Sequence, residues 1–323
     1  MSRLRWLILL SGVLLLAIAA SLAMPLKGLP SLAAADPRLA TTILVEIRLP
    51  RTALALFYGA MLGGAGAAIQ ALFGNPLASP DITGASGGAA LGAVVTGYLL
   101  GFAEPFGLAL GGVAGALAAL LLLLALAGPH AETATLLLAG IAISAVTGAL
   151  TTLALALAPS PFAFYDAYDW LMGSLVDRSL DQAAFAILPI VATLLLLLRD
   201  RRALDTLALG EEAAASMGYD LKALQRRVIV TVAVGVGASV AICGAIGFIG
   251  LVAPVFARRL TAGHPGRAIV PAALIGGVLL VVADLLVRTL PEGRVLPVGV
   301  VTAMLGAPFF LWLVARMRWD LRS

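Results

Sequence analysis

The chain has 323 residues, of which 61% are hydrophobic and only 12% are charged, a balance too apolar for a protein that folds in water. Lysine and arginine exceed aspartate and glutamate by 21 to 17, but no basic segment is interleaved with aromatic residues, so the positive charge does not indicate nucleic-acid binding. A single cysteine, Cys243, excludes an internal disulfide bond and a multi-cysteine metal site.

Long apolar segments follow one another along almost the whole chain. They lie near residues 6–24, 52–73, 85–102, 106–127, 134–158, 183–198, 228–246, 246–257, 268–287 and 298–315. A helix of about 20 apolar residues crosses a bilayer, so we predict an all-α membrane protein with about ten transmembrane helices in a single domain, residues 1–323.

The first segment, from Trp6 to Met24, follows Arg3 and Arg5 and has some features of a secretory signal peptide. Its apolar run is longer than a usual signal core, and no clear mature domain follows it. We therefore predict that it is the first span.

The seventh and eighth segments are hard to separate, because the apolar pattern is interrupted there by Gly244, Gly247, Gly250 and Pro254. Helices that break at membrane depth are tolerated where they line a cavity or pack within the protein. This region is therefore a candidate part of a pathway across the membrane.

Arginine and lysine residues are distributed unevenly between the two sides of the predicted bundle. Ten spans place both termini on one side, and that side receives about twice as many of these residues as the other. Because positively charged loops stay in the cytoplasm, we predict cytoplasmic termini and a multi-pass protein of the bacterial inner membrane.

Glycine is abundant, with 35 residues, and helices in lipid pack closely over small side chains. Several glycines recur four positions apart, which predicts a compact bundle. These pairs are Gly59/Gly63, Gly84/Gly88, Gly88/Gly92, Gly97/Gly101 and Gly111/Gly115.

The sequence offers little catalytic chemistry. Neither lysine lies in a phosphate-binding loop of the G-x-x-x-x-G-K-S/T type, so ATP-driven transport would need an ATPase on another polypeptide. Gly84-Ala85-Ser86-Gly87 is similar to the nucleophile loop of intramembrane serine proteases, but no histidine lies inside a predicted span to act as a base. We predict that the chain is not an enzyme.

A stand-alone secondary transporter driven by an ion gradient is the alternative to ATP-driven transport. It would need ionisable groups along its pathway, and Asp284 is the only acidic residue that we place inside a span. Arg288 follows four positions later on the same helix face, so a structural ion pair and a functional site are equally good interpretations.

Two segments near the second span are more polar than a lipid-facing helix needs to be. Arg48-Leu49-Pro50-Arg51 lies on the outer side, which indicates either a partner protein with carboxylates or simple anchoring at the membrane surface. At the inner end, Gln70 is followed by Asn75-Pro76-Leu77-Ala78-Ser79-Pro80, whose prolines predict a rigid extended loop or a plain turn.

The longest polar stretch, residues 199–227, lies on the predicted cytoplasmic side. It contains a predicted short helix with two glutamates in the first turn and a closing glycine. The apolar residues of this helix need a surface to pack on, which is either a soluble partner or the bilayer. The residues of the predicted helix are Leu209, Gly210, Glu211, Glu212, Ala213, Met217 and Gly218.

In this order, the segments resemble the iron-chelate, haem and cobalamin importer permease family from about Arg48 to Arg316. Each motif alone is a weak signal, and the set co-occurs in little else. The motifs are Arg48-Leu49-Pro50-Arg51, the block from Gln70 to Ala78, Trp170-Leu171-Met172-Gly173-Ser174, Leu209-Gly210-Glu211-Glu212-Ala213, Gly247-Phe248-Ile249-Gly250-Leu251-Val252-Ala253-Pro254 and Pro297-Val298-Gly299-Val300-Val301-Thr302.

The resemblance implies a fold like that of the vitamin B12 importer permease, with ten helices per subunit and a homodimer whose pathway lies at the subunit interface. It implies two copies of a separate ATP-binding-cassette ATPase, which bind ATP and magnesium, and a periplasmic substrate-binding protein. This chain would bind no cofactor or metal of its own. The cargo implied is a ferric siderophore, haem or cobalamin.

The resemblance also implies roles for individual residues. Arg48, Arg51 and Arg288 match the outer arginines that bind carboxylates on the binding protein, and residues 209–218 match the coupling helix that sits in a groove of the ATPase. The fifth span is similar to the part that lines and gates the channel. The pathway residues that we single out are Gln70, Asn75, Pro76, Gly247, Gly250 and Pro254.

Two positions depart from the family pattern. Val255 stands where the family usually has a histidine after the proline, and Val295 stands where it usually has a glutamate before the Pro-Val-Gly ending. These departures bear on local packing near the outer end of the ninth span and on fine substrate specificity.

Overall fold

The computed structural model describes residues 3–24, 34–102, 104–128, 133–289 and 296–320, and these contain helices and no strand. A π-helical turn spans Ile43–Arg48, and two 3-10 turns lie at Pro80–Thr83 and Leu207–Leu209. The helices are α1 Arg3–Ala23, α2 Pro37–Thr42, α3 Leu49–Leu72, α4 Ala85–Tyr98, α5 Pro105–Ala127, α6 Thr133–Ala156, α7 Pro161–Leu171, α8 Leu180–Arg199, α9 Arg201–Thr206, α10 Glu211–Ser216, α11 Leu221–Cys243, α12 Ile249–Leu260, α13 Pro265–Arg288 and α14 Val298–Asp320.

The ten predicted spans correspond to α1, α3, α4, α5, α6, α8, α11, α12, α13 and α14. Within the described residues, seven helices are long and apolar enough to cross a membrane. Two others, α4 with 14 residues and α12 with 12, are too short to cross unaided, since α12 is only about 18 Å long at 1.5 Å per residue. The predicted all-α membrane bundle is confirmed.

The boundary between the seventh and eighth spans lies at residues 244–248. Gly244, with φ 72°, ends α11, and Phe248, with φ 67°, precedes α12. Positive φ at both positions interrupts the helical hydrogen bonding. The residues at the break include Ala245 and Ile246, which are themselves apolar, so the apolar pattern showed no clear division. The hydroxyl of Tyr58, more than two turns inside α3, donates to the carbonyl of Gly244 at 3.2 Å, so the break is packed within the bundle.

The core is organised around α3, whose most apolar window is 78% buried, whereas that of α1 at the periphery is 11% buried. Close backbone approach to α13 explains the central position of α3. A methyl group on Gly59 or Gly63 would overlap the backbone of α13 at Gly276 or Ala272. Side chains at these positions would push the two helices apart.

Close backbone approach at glycine residues also joins α4 to α5. A methyl group on Gly88 or Gly92 would overlap the carbonyl groups of Gly115 and Gly111, so the predicted pairs on both helices meet each other. The pair Gly97/Gly101 was predicted wrongly as a packing pair. Gly101 has open space around it and φ 74°, so it shapes the turn after α4.

Candidate functional site

A cluster of charged residues lies where the outer ends of α1, α3 and α13 meet. The carboxylate of Asp284 is fully buried and accepts hydrogen bonds from the guanidinium Nε of Arg51 at 2.8 Å and of Arg288 at 2.9 Å. The side chains of Arg51 and Arg288 are 17% and 7% exposed. The predicted pair of Asp284 and Arg288 is thus present, and Arg51 completes a three-residue ion cluster.

The last carbonyl groups of α1 are bound by Arg288 and by a further arginine, Arg48. Nη1 of Arg48 donates to the carbonyls of Leu22 and Ala23, each at 2.8 Å, and Nη1 of Arg288 donates to that of Ser21 at 2.8 Å. The final turn of a helix lacks intrahelical donors and carries partial negative charge, so cations are favourable there. The arginines therefore hold α1 against the bundle.

All three predicted docking residues, Arg48, Arg51 and Arg288, are brought together in this cluster. Within the described residues, the cluster holds three guanidiniums and the one carboxylate of Asp284. Sequence spacing indicated only the Asp284–Arg288 pair, because Arg51 is 233 positions from Asp284 and no local pattern joins them. Docking on a partner stays a prediction.

At the inner half of the bundle, two of the predicted pathway segments meet. Gln70 is fully buried, and its Nε2 donates to the carbonyl of Leu251 at 3.4 Å. A methyl group on Gly250 would lie 2.6 Å from Cδ of Pro80, and one on Gly66 would overlap the carbonyl of Gly250. The start of α12 therefore packs tightly against α3 and the loop that follows it.

That loop re-enters the bundle. The carbonyl of Ile82 lies where a methyl group on Gly140 would point, about 10 Å along α6 from its described inner end. Pro80 and Ile82 thus sit among the helices, whereas Asn75 at the loop's start is exposed and Pro76 is partly buried. Both the rigid-loop and the turn interpretations hold in part, since Oδ1 of Asn75 accepts from the amide of Leu77 at 2.9 Å.

A carboxylate that the sequence interpretation missed, Asp81, lies in the re-entrant loop. Its Oδ1 accepts a hydrogen bond from the hydroxyl of Ser86 at 2.6 Å, across the start of α4. Asp284 is therefore not the only acid within the bundle. The signal present in the sequence is a serine five positions after an aspartate, with Gly84 between them just before α4.

The remaining pathway residues lie apart from this junction. Pro254 is buried inside α12, and Gly247 stands in open space before it. Of the family departures, Val255 is partly buried in α12, and Val295 lies outside the described residues.

The predicted cytoplasmic helix is present as α10, preceded by the 3-10 turn Leu207–Leu209. Gly218, with φ 87°, closes it as predicted, and Gly210, with φ 102°, precedes its first turn. Leu209 and Met217 are 69% and 60% exposed, and only Ala214 is fully buried.

Two carboxylates of α10 are exposed, and an ion pair joins the two ends of the cytoplasmic loop. Glu211 and Glu212 are exposed in the first turn, and Ala213 is partly buried. Arg227 and Asp200 close the base of the loop with an ion pair at 3.0 Å. The loop therefore presents two apolar side chains and two carboxylates to the cytoplasm on a fixed base.

Similarity to known proteins covers nearly the whole chain. A model of the FecCD transport family matches residues 6–316. The iron(III) dicitrate transport permease FecD of Escherichia coli K12 is 41% identical over 276 residues, covering 85% of this chain and 86% of the relative. The vitamin B12 import permease BtuC of Citrobacter koseri is 39% identical over 321 residues, covering 97% and 95%.

A solved structure is similar over the same extent. It is described as an inward-facing metal-chelate type ABC transporter, and it matches this fold with a TM-score of 0.84 and 27% sequence identity. The match covers 95% of this chain and 97% of that chain.

Proposed function

The chain belongs to the FecCD transport family, and from that membership we propose that two copies of it form the membrane channel of an ATP-binding-cassette importer. The cargo is an iron chelate or cobalamin, carried from the periplasm to the cytoplasm. Relatives named for iron(III) dicitrate and for vitamin B12 are similarly close, at 41% and 39% identity, which supports this cargo class without favouring one member of it.

The observation that carries the proposal is the cytoplasmic helix α10. A six-residue helix is too short to be stable in water by itself, and this one exposes Leu209 and Met217 at its two ends. Such a surface suits a groove on a soluble subunit. Because the chain has no phosphate-binding loop, that subunit would be the ATPase, which binds ATP and magnesium.

The fixed base of the loop gives α10 a mechanical role. The Arg227–Asp200 pair and the buried Ala214 tie the loop to α8 and α11, so a displacement of α10 is passed to those helices. Closure of two ATPases on ATP would move each α10 with its groove and change which side of the membrane the channel opens to. The packed junction of Gly66, Gly250 and Pro80 would move as a unit.

Uptake in proteoliposomes tests this proposal. The chain is reconstituted with its ATPase and binding protein, and ATP-dependent uptake of labelled ferric dicitrate, haem and cobalamin is measured. Glu211→Lys with Glu212→Lys is expected to preserve ATP hydrolysis and abolish uptake, whereas Lys222→Glu, an exposed charge reversal in the same loop, leaves uptake intact. Uptake by the chain alone on a proton or sodium gradient would contradict the proposal and support a secondary transporter.

The outer arginine cluster is the proposed docking site for the periplasmic binding protein. Guanidiniums suit carboxylates on a partner, and Arg51, whose side chain is 17% exposed, has donors beyond those bound to Asp284. Reversing Arg51 or Arg288 to glutamate would set carboxylates against Asp284 and disturb the fold, so neither is a clean test of docking.

Arg48→Gln tests docking with both ion pairs of Asp284 in place, because Arg48 does not contact Asp284 in any described hydrogen bond. Arg48 is buried and binds the end of α1, so the variant is compared only after its thermal unfolding is shown to match that of the unmodified chain. The substitution lowers the net charge of the cluster by one. We expect weaker binding of the binding protein, by about tenfold for one interfacial charge. Arg38→Gln, an exposed arginine on the same side, is the matched control. Equal affinities for Arg48→Gln and Arg38→Gln would refute docking at the cluster.

A further inference from the structure

A basic cavity opens at the cytoplasmic end of the bundle, beside the helix α9 that leads to the cytoplasmic loop. Its volume is about 380 Å³. Three arginines line its polar side, and the first turns of α1 and α13 line its apolar side. The lining residues used below are Trp6, Leu7, Arg201, Arg202, Asp205 and Arg267.

The charges around this cavity do not cancel. Among the described residues, Asp205 is the only acidic one that lines it, and its carboxylate is already used. It accepts from the amide of Gly266 at 2.9 Å and lies 3.6 Å from Nε of Arg267. Arg201 and Arg202 are exposed and form no ion pair with another described residue. Two positive charges are left for an anion.

Directly beyond this cavity, towards the membrane centre, lies a second one with an apolar lining. Its volume is about 250 Å³, and both cavities share Val270 on α13. On α1, Leu7 lines the basic cavity and Leu14 the apolar one, two turns or about 10 Å deeper. On α8, Leu198 and Leu194 continue the lining in the same direction.

The position of the two cavities in the bundle indicates which kind of anion would bind there. α1 is the most exposed of the candidate spans, so both cavities lie at the lipid-facing edge of the bundle. Trp6 lies where aromatic side chains anchor helices at the membrane surface. A basic pocket that continues into an apolar groove, at the depth of the inner leaflet, has the shape and polarity of one lipid molecule with its headgroup outward.

From this geometry we propose that the chain binds an anionic phospholipid of the inner leaflet between α1, α8 and α13. The phosphate lies between Arg201, Arg202 and Arg267, and an acyl chain follows the groove past Leu14. Since α9, which carries Arg201 and Arg202, leads directly into the 3-10 turn before α10, the lipid also fixes this end of the cytoplasmic loop at the membrane surface. The proposal does not depend on the transport function.

Native mass spectrometry of the purified full-length chain tests the site, with dioleoylphosphatidylglycerol as the anionic lipid and dioleoylphosphatidylcholine as the neutral one. Arg201→Gln with Arg202→Gln is expected to weaken phosphatidylglycerol binding about 30-fold, from the attraction that each arginine exerts on an anionic lipid. Lys222→Gln with Arg226→Gln, also two exposed cytoplasmic charges, should change it less than about twofold.

Two further measurements separate a lipid from other ligands. Ala273→Phe fills part of the apolar cavity and should weaken phosphatidylglycerol binding while leaving the arginines in place. Glycerol 1-phosphate in 100-fold excess should not displace the lipid. The proposal is overturned if the arginine variant binds phosphatidylglycerol as the unmodified chain does, if phosphatidylcholine binds equally well, or if glycerol 1-phosphate competes. If Ala273→Phe binds phosphatidylglycerol with unchanged affinity, the apolar cavity does not hold an acyl chain.

Discussion

Replacing Asp284 by alanine should destabilise this protein more than removal of any exposed carboxylate. The change leaves Arg51 and Arg288 in place without their shared counter-charge, and their side chains are only 17% and 7% exposed. Removing one partner of a buried ion pair costs about 3–5 kcal/mol. Because the guanidinium of Arg51 can still turn towards water, the lower end, about 3 kcal/mol, is expected here.

Thermal unfolding of the purified chain in lipid nanodiscs measures this cost. Large domains lose roughly 2–4 °C for each kcal/mol, so Asp284→Ala should unfold about 6–12 °C below the unmodified chain. Glu46→Ala, an exposed carboxylate on the same side, serves as the control and should shift unfolding by about 1 °C or less.

A double variant separates lost charge balance from lost packing. Asp284→Ala with Arg288→Leu removes the more deeply buried guanidinium together with the carboxylate, so it should recover about half of the lost stability. If Asp284→Ala unfolds at the same temperature as the unmodified chain, the ion cluster does not stabilise the fold. If the double variant is worse than the single one, packing rather than charge is responsible.

Three smaller predictions use the same unfolding assay. Gly66→Ala should lower the free energy of unfolding by about 1–3 kcal/mol, because the new methyl group would overlap the backbone of α12. Gly148→Ala, in open space on α6, should raise it by about 0.5–1 kcal/mol, because alanine lowers the entropy of the unfolded chain. Stabilisation by both variants would contradict the close packing at Gly66. Phe248→Ala should be less stable than Phe248→Gly by roughly 1 kcal/mol, since φ there is 67°. Ser86→Ala should lower the free energy of unfolding by about 1–3 kcal/mol, because it removes a hydrogen-bond donor to Asp81. An unchanged stability would indicate that water solvates the carboxylate of Asp81.

The order of the apolar helices along the chain follows from the sequence. Apolar segments of spanning length are local features, and the charge of each loop decides which side it occupies. The short helix α10 could also be predicted, because glycine commonly closes helices, and Gly218 closes this one with a positive φ. The pair of Asp284 and Arg288 was predicted for the same reason, since four residues of helix bring them onto one face.

Contacts between distant segments were decided only by the tertiary structure. Arg51 reaches Asp284 across 233 positions, and the end of α1 supplies carbonyl groups that no spacing rule connects to Arg48. The sequence likewise contained many glycine pairs, and only the bundle geometry shows that Gly101 belongs to a turn. Helix periodicity repeats every few residues, so it specifies a face and not the helix that will cover it.

The two cavities beside α1 illustrate this division most clearly. From the sequence, Arg201 and Arg202 indicated only the orientation of the chain in the membrane, as positive charges on the cytoplasmic side. Their role as one wall of a basic pocket arises because α13 begins against α9, where a methyl group on Gly266 would overlap the carbonyl of Arg201. In a membrane bundle, sequence sets what each helix can face, and packing of the helices sets what each one does face.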